Sequence, residues 1–187
     1  MTLELTLKSD TLLDFAFGKV IKGKEMQVFG EYFPIVAPVL EECGIQSLRS
    51  FAVLATNNPG MVPEQGALTQ IPNTESFDKF HHDPRFIEAK PLRDDAMEFL
   101  TDGNFFKPSE QVVILEAQTD YALTITEDNP LETNPLLEIP AAEDSPKQTY
   151  CGKMMRLHLW NDEAEKLMSA SSGEVVVFRI RFFPSGD

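Results

Sequence analysis

The sequence predicts an α+β fold built on an antiparallel sheet, and three observations carry that expectation. Period-two apolar runs such as "MTLELTLK" mark strands buried on one face. These runs alternate with stretches whose apolar residues recur at helical spacing. Two runs, "IQSLRSFAVLAT" and "GALTQI", are joined by the glycine- and proline-bearing "NNPGMVPEQ", which reads as a hairpin connection. The order is β-α-β-β-α-β over residues 1–106, followed by a shorter β-β-α-β over residues 107–187. A chain of 187 residues with 42% apolar content suffices for one ordinary domain or two small ones.

In the first part, Leu3, Leu5 and Leu7 alternate with polar residues and predict an amphipathic first strand. Ser9 or Asp10 then caps a helix through "TLLDFAFGKVI", with "KGKE" as a break. A second helical stretch, "MQVFGEYFPIVAPVLEECG", holds Pro34 and Pro38, so it is kinked or begins late, and Gly44 suits a left-handed C-terminal cap. After the hairpin comes "TESFDKFHHDPRFIEAKPLRDDA", in which Phe77, Phe80, Pro84 and Ile87 form an apolar stripe. Asp83 before Pro84 marks the end of one helix and the start of another. "MEFL" is a short strand before the turn "TDGN".

In the second part, "QVVILEA" and "YALTITE" are strands with "QTD" between them, and the proline-rich acidic "DNPLETNPLLEIPAAEDSPKQ" reads as a long loop. "KMMRLHLW" is a strand, Asn161 caps the helix "DEAEKLMSAS", Gly173 ends it, and "EVVVFRIRFF" is the last strand. The second part echoes the first in element order, not in residue identity.

The stretch from Ile71 to Arg93 resembles the small uncharacterised proteins of the dimeric α+β barrel superfamily, over about residues 1–106. Ile71 and Pro72 match the end of a strand, Phe80 the aromatic that follows, Asp83, Pro84 and Phe86 the Asp-Pro-x-aromatic step, and Leu92 and Arg93 the terminal Leu-Arg. The resemblance implies a ferredoxin-like antiparallel sheet with helices on one face, the other face closing a barrel of the dimeric α+β type. Residues 107–187 then supply a second, degenerate α+β half within one chain, or two chains meet as a homodimer. Members differ in chemistry and include cofactor-free monooxygenases, isomerases and haem-binding proteins, so the fold does not fix the function.

Chemistry-bearing residues concentrate in the second part. Met155, Leu157 and Leu159 share one strand face, leaving Arg156, His158 and Trp160 on the other; Phe178, Ile180 and Phe182 likewise leave Arg179 and Arg181 opposite. With the apolar faces under the helices, the opposite face carries three arginines, a histidine and a tryptophan. Such a set suits a small anion with an apolar ring, and it equally suits arginines paired with glutamates. A further strand between the two is compatible with either. Arg93 is a further candidate anion ligand, with solvated ion pairs to Asp94 and Asp95 as the alternative. His81 and His82 are adjacent, point about 100° apart on a helix, and read as helix-end residues or as acid/base groups.

A formal net charge of −14 opposes nucleic acid and anionic membrane surfaces. Cys43 and Cys151 form neither a CxxC pair nor a metal cluster; no HExxH, GxSxG or phosphate loop occurs, and no apolar run reaches the roughly 18 residues of a membrane span. The start has no basic region followed by an apolar one, which predicts a cytoplasmic protein. The functional expectation is a protein that binds a small molecule in the barrel cavity without cofactor or metal. The alternative is a cofactor-free enzyme in which His158 is the acid/base and Arg156, Arg179 and Arg181 stabilise negative charge. Haem binding through His81 or His158 is the weakest reading.

Overall fold

A computed structural model describes residues 1–58, 60, 62–170 and 176–184. The first part contains β1 (Thr2–Leu7), β2 (Leu12–Val20), a π-helical stretch (Gln27–Tyr32) continuing into α1 (Phe33–Glu42), and β3 (Gln46–Thr56) with β4 (Gln65–Ile71). Then follow α2 (Thr74–His82), α3 (Pro84–Ala96), β5 (Met97–Thr101) and β6 (Phe105–Phe106). The second part contains β7 (Gln111–Glu116), β8 (Asp120–Thr126), β9 (Leu137–Pro140), β10 (Met154–Leu159), α4 (Asp162–Ser169) and β11 (Val176–Phe182). The fold is α+β, with a large antiparallel sheet.

The sheet runs β5-β2-β4-β3-β11-β8-β10-β9. Its first four strands, numbered along the chain as β2, β3, β4 and β5, stand in the order 4-1-3-2 with helices in the two crossovers, the ferredoxin-like arrangement. The last four repeat it: β8, β9, β10 and β11 also stand as 4-1-3-2. In this second half a loop across residues 127–136 takes the place of the first helix, and α4 is the only helix among the described residues.

Two hydrogen-bonded junctions join the halves into a ring. β11 pairs with β3 on one side. On the other, β6 pairs with β2, and Phe106 bridges Ala141 just beyond β9, with Lys107 N–H donating to Pro140 O at 2.8 Å and Ala142 N–H to Phe105 O at 2.8 Å. β6 thus continues β5 along the edge of β2 after a break at Asp102–Asn104. Every strand of the ring except β5, whose partly buried Phe99 packs against it, sends buried residues into one apolar cluster, including Leu13, Phe15, Phe17, Phe51, Leu68, Phe106, Leu123, Ile139, Leu157 and Phe178. Phe178 lies 6.0 Å from Phe15 and 5.0 Å from Phe17, ring centre to ring centre, so residues distant in sequence meet at the centre. The barrel interior is therefore filled with side chains, as expected for a ring of this size. β1 and β7 pair as a separate ribbon, whose Leu3, Leu5, Leu7, Val113 and Leu115 pack onto the same cluster.

Several expectations hold. Asp83 caps α3 by accepting from Arg85 N–H at 2.9 Å, and Asn161 caps α4 by accepting from Ala164 N–H at 2.9 Å. Gly44, at φ +70°, ends α1 while Ile45 N–H donates back to Leu40 O. The prolines of the long helix are accommodated by a π-helical turn just before them, where Phe33 N–H reaches back five residues to Val28 O.

Three expectations are corrected. "TLLDFAFGKVI" is strand β2, not a helix: the run is buried on both faces, and such a strand lacks the alternation that distinguishes it from a buried helix. The acidic connector holds β9, where Leu137 and Ile139 point inward and Glu138 and Pro140 outward. The apolar faces of β10 and β11 point into the barrel and not toward helices, so the arginine-bearing face is the one beneath α4 and the 127–136 loop. The placement of Gly173 at the helix end lies outside the described residues. Among the described residues no helix is long and apolar enough to cross a membrane.

Candidate ligand site between the helices and the barrel wall

In the first half the outer face of the sheet is built from small and polar residues. Across β2 and β4 the facing pairs Asp14–Thr69, Ala16–Ala67 and Gly18–Gln65 look outward, while Phe15–Leu68 and Phe17–Gly66 look into the barrel. A bulge in β3 between Ser47 and Arg49 brings both Ser47 and Ser50 to the outward face. Helical residues roof this floor: Val28, Phe29, Tyr32, Phe33 and Val36 from the π-helical stretch and α1, Phe77, Phe80 and His81 from α2, and Arg93 from α3. Because the floor residues are small, the two layers do not interdigitate, and a cavity of about 340 Å³ remains.

The cavity is mainly apolar, with polar groups gathered at the break between β5 and β6. Asp14 is 4% exposed there; its Oδ2 accepts from Gly103 N–H at 3.3 Å, and its Oδ1 has no hydrogen-bond partner among the described residues. Burial, and then the nearby Asp102 carboxylate, raise the Asp14 pKa to about 7, with the Gly103 and Asn104 amides opposing the shift. Asp102 stands between Lys147 and His81: Lys147 Nζ lies 3.0 Å from one oxygen, and His81 Nε2 lies 3.9 Å from the other. His81 Nδ1 lies 2.9 Å from Phe77 O, which places the proton on that nitrogen and turns Nε2 toward Asp102. Its ring packs 4.1 Å from that of Phe77. Tyr32 is buried, and that burial raises its pKa.

Of the residues singled out from sequence, Arg93 lines this cavity. It donates to Asp94 from Nε at 3.0 Å, with its guanidinium carbon 5.6 Å from the Phe86 ring centre. His81 lines it too, and the candidates on β10 and β11, with Trp160, lie on the second half. β8 stands between β10 and β11, so Arg156 and Val177 flank Thr124, and His158 and Arg179 flank Ala122. Arg156 donates to the Glu138 carboxylate and, at 3.2 Å, to Thr126 Oγ1. Arg179 and Arg181 each donate at 2.7 Å to a different oxygen of Asp120. Burial alone would raise the Asp120 pKa, but the bonds from Arg181 and Arg179 outweigh it and hold it below the usual carboxylate value. Arg179 also lies 4.7 Å over the Trp160 ring, whose Nε1–H donates to Glu165. His158 is buried with Nδ1 3.3 Å from Thr133 Oγ1, and burial followed by the Arg156 charge lowers its pKa. His82 is exposed on the outside of α2.

Asp14, Asp102, Tyr32 and the small floor residues are functional candidates that the sequence reading missed. Their signal was present: once "LLDFAFG" is a strand, its outward face reads Asp14, Ala16, Gly18, a polar group followed by two residues too small to fill space.

No protein-family model matches the chain, and no curated protein matches it. Among solved structures, a "putative monooxygenase" of Fusobacterium nucleatum is similar over 95% of this chain and 94% of its own, with 10% identity and a TM-score of 0.45. Another "putative monooxygenase", of Lactobacillus acidophilus, covers 92% of this chain and 94% of its own, at 8% identity and a TM-score of 0.42. A protein of unknown function from Rhodopseudomonas palustris covers 56% of this chain and 86% of its own, at 16% identity and a TM-score of 0.46.

Proposed function

We propose that the protein binds a small, largely apolar molecule in the cavity between the first-half helices and the outer wall of the barrel. The observation that carries this reading is the combination of an apolar cavity of about 340 Å³ with a few polar groups converging at one end, the usual make-up of a small-molecule site. The site differs in place from the expected barrel interior, which is filled. Native mass spectrometry of the gently purified protein is expected to show a discrete extra mass, and Ala67→Phe, which fills the floor, is expected to lose it. An adduct that persists in the variant would put the ligand elsewhere. A wild type that carries no adduct and takes up none of 2-naphthol, 2-methoxynaphthalene and 2-naphthoate would sink the reading.

A second reading is catalysis without a cofactor on a small compound. It draws more support from Asp14, Asp102 and His81, which stand at a cavity, than from His158 with Arg156, Arg179 and Arg181. The guanidinium groups of that second set are engaged by Glu138 and Asp120. Arg93 lines the cavity with its guanidinium group engaged by Asp94.

A further inference from the structure

The polar end of the cavity, at the break between β5 and β6, combines a buried carboxyl group with an excess of negative charge. Asp14 lies on β2, flanked across the sheet by Thr69 of β4 and Phe105 of β6, neither of which titrates. The charged and titratable groups that face it are Asp102 and Lys147, with His81 beyond Asp102. Lys147 is bonded to Asp102, so the ionised set at this end carries two carboxylates against one ammonium. Arg93, the remaining cation of the lining, is engaged by Asp94. An anionic head group would meet uncompensated repulsion at this end. A hydrogen-bond donor would instead meet a carboxyl group with one oxygen that has no partner among the described residues, and a buried unsatisfied acceptor is costly.

Resting on the reading of this cavity as a ligand site, we propose that Asp14 determines its specificity by selecting a neutral ligand whose apolar body ends in a hydrogen-bond-donating hydroxyl. The body lies against the aromatic roof, and the hydroxyl is directed to the Asp14 carboxyl group. No covalent step is involved. Because burial and Asp102 place the ionisation of Asp14 near neutrality, and an ionised oxygen accepts more strongly than a neutral one, preference for the donor rises with pH through about 7.

Three probes of one frame test this: 2-naphthol, 2-methoxynaphthalene, which keeps the oxygen and lacks the donor, and 2-naphthoate, which carries an anion. Affinities measured at pH 6 and pH 8 are expected to place 2-naphthol roughly tenfold or more ahead of the ether at pH 8, with a smaller lead at pH 6 and 2-naphthoate weakest. Asp14→Asn, which keeps the size and removes the charge, is expected to abolish the pH dependence of the lead. The wild-type comparison decides the matter by itself should that variant fold poorly. Equal affinity for the naphthol and the ether at both pH values would overturn the role of Asp14 and leave the cavity a ligand site. Tightest binding of 2-naphthoate would overturn donor selection in favour of an anion. Failure of all three to bind would overturn the ligand-site reading together with the proposal.

Discussion

Phe106 and Ala141 face each other in an antiparallel bridge, and this contact joins the outer edges of the two halves. The bridge is short, resting on the amides of Lys107 and Ala142, but the Phe106 ring beside it is fully buried in the barrel cluster.

Phe106→Ala is therefore expected to cost about 3–5 kcal/mol of stability and to open this seam first. Hydrogen exchange at Lys107 and Ala142 would accelerate well before exchange at the β3–β11 junction. Uniform acceleration across both junctions would show that the seam has no separate weakness.

The buried Asp14 makes stability depend on pH in the direction opposite to a salt-bridged carboxylate. Its folded pKa, near 7, lies above the unfolded value near 4. The folded state binds more protons between those values, so this contribution is full below about pH 4 and is lost as pH rises through about 7. The swing is at most about 4 kcal/mol. Denaturant unfolding at pH 5 and pH 8 should show the wild type less stable at pH 8, and Asp14→Asn should remove most of the difference. An unchanged difference in the variant would assign it to other groups.

Asp102 contributes to that titration by its charge. Asp102→Asn removes a like charge and should move the Asp14 pKa downward, as followed by the NMR signal of the Asp14 carboxyl carbon. A rise, or no movement, would mean that the lost Asp102 charge is offset by rearrangement of Lys147 or His81.

On the second half, Asp120 holds two arginines at once. Asp120→Ala leaves Arg179 and Arg181 without that partner beside a half-buried strand and should destabilise by roughly 1–3 kcal/mol. The loss should exceed that of Arg181→Ala, which leaves Asp120 its bond to Arg179. Equal losses would argue that Arg179 contributes nothing through Asp120.

Much of the fold was legible because most elements carry one clear signal. Asp83 and Asn161 announce helix starts, and Gly44 announces an end, from local chemistry alone. β2 was hidden because Leu12 through Phe17 are buried on both sides, and a strand with no solvent face loses its alternation. That single misreading also concealed the cavity, since Asp14, Ala16 and Gly18 share a face only in a strand. The arginine face was legible as a pattern, but its counter-charges were not: Asp120 and Glu138 reach it through strand neighbours that no spacing in the sequence reveals.

The position of β11 sets an order on assembly. The strand that comes last along the described chain stands in the middle of the sheet, between β3 and β8. On a ribosome, β2 to β5 can pair among themselves early, yet they face an unfilled place until residue 182 has emerged. Until then β3 presents an unpaired edge, and the rings of Phe15 and Phe17 lack Phe178, a state open to pairing with other nascent chains. The long sequence separation of this contact also makes ring closure a slow event.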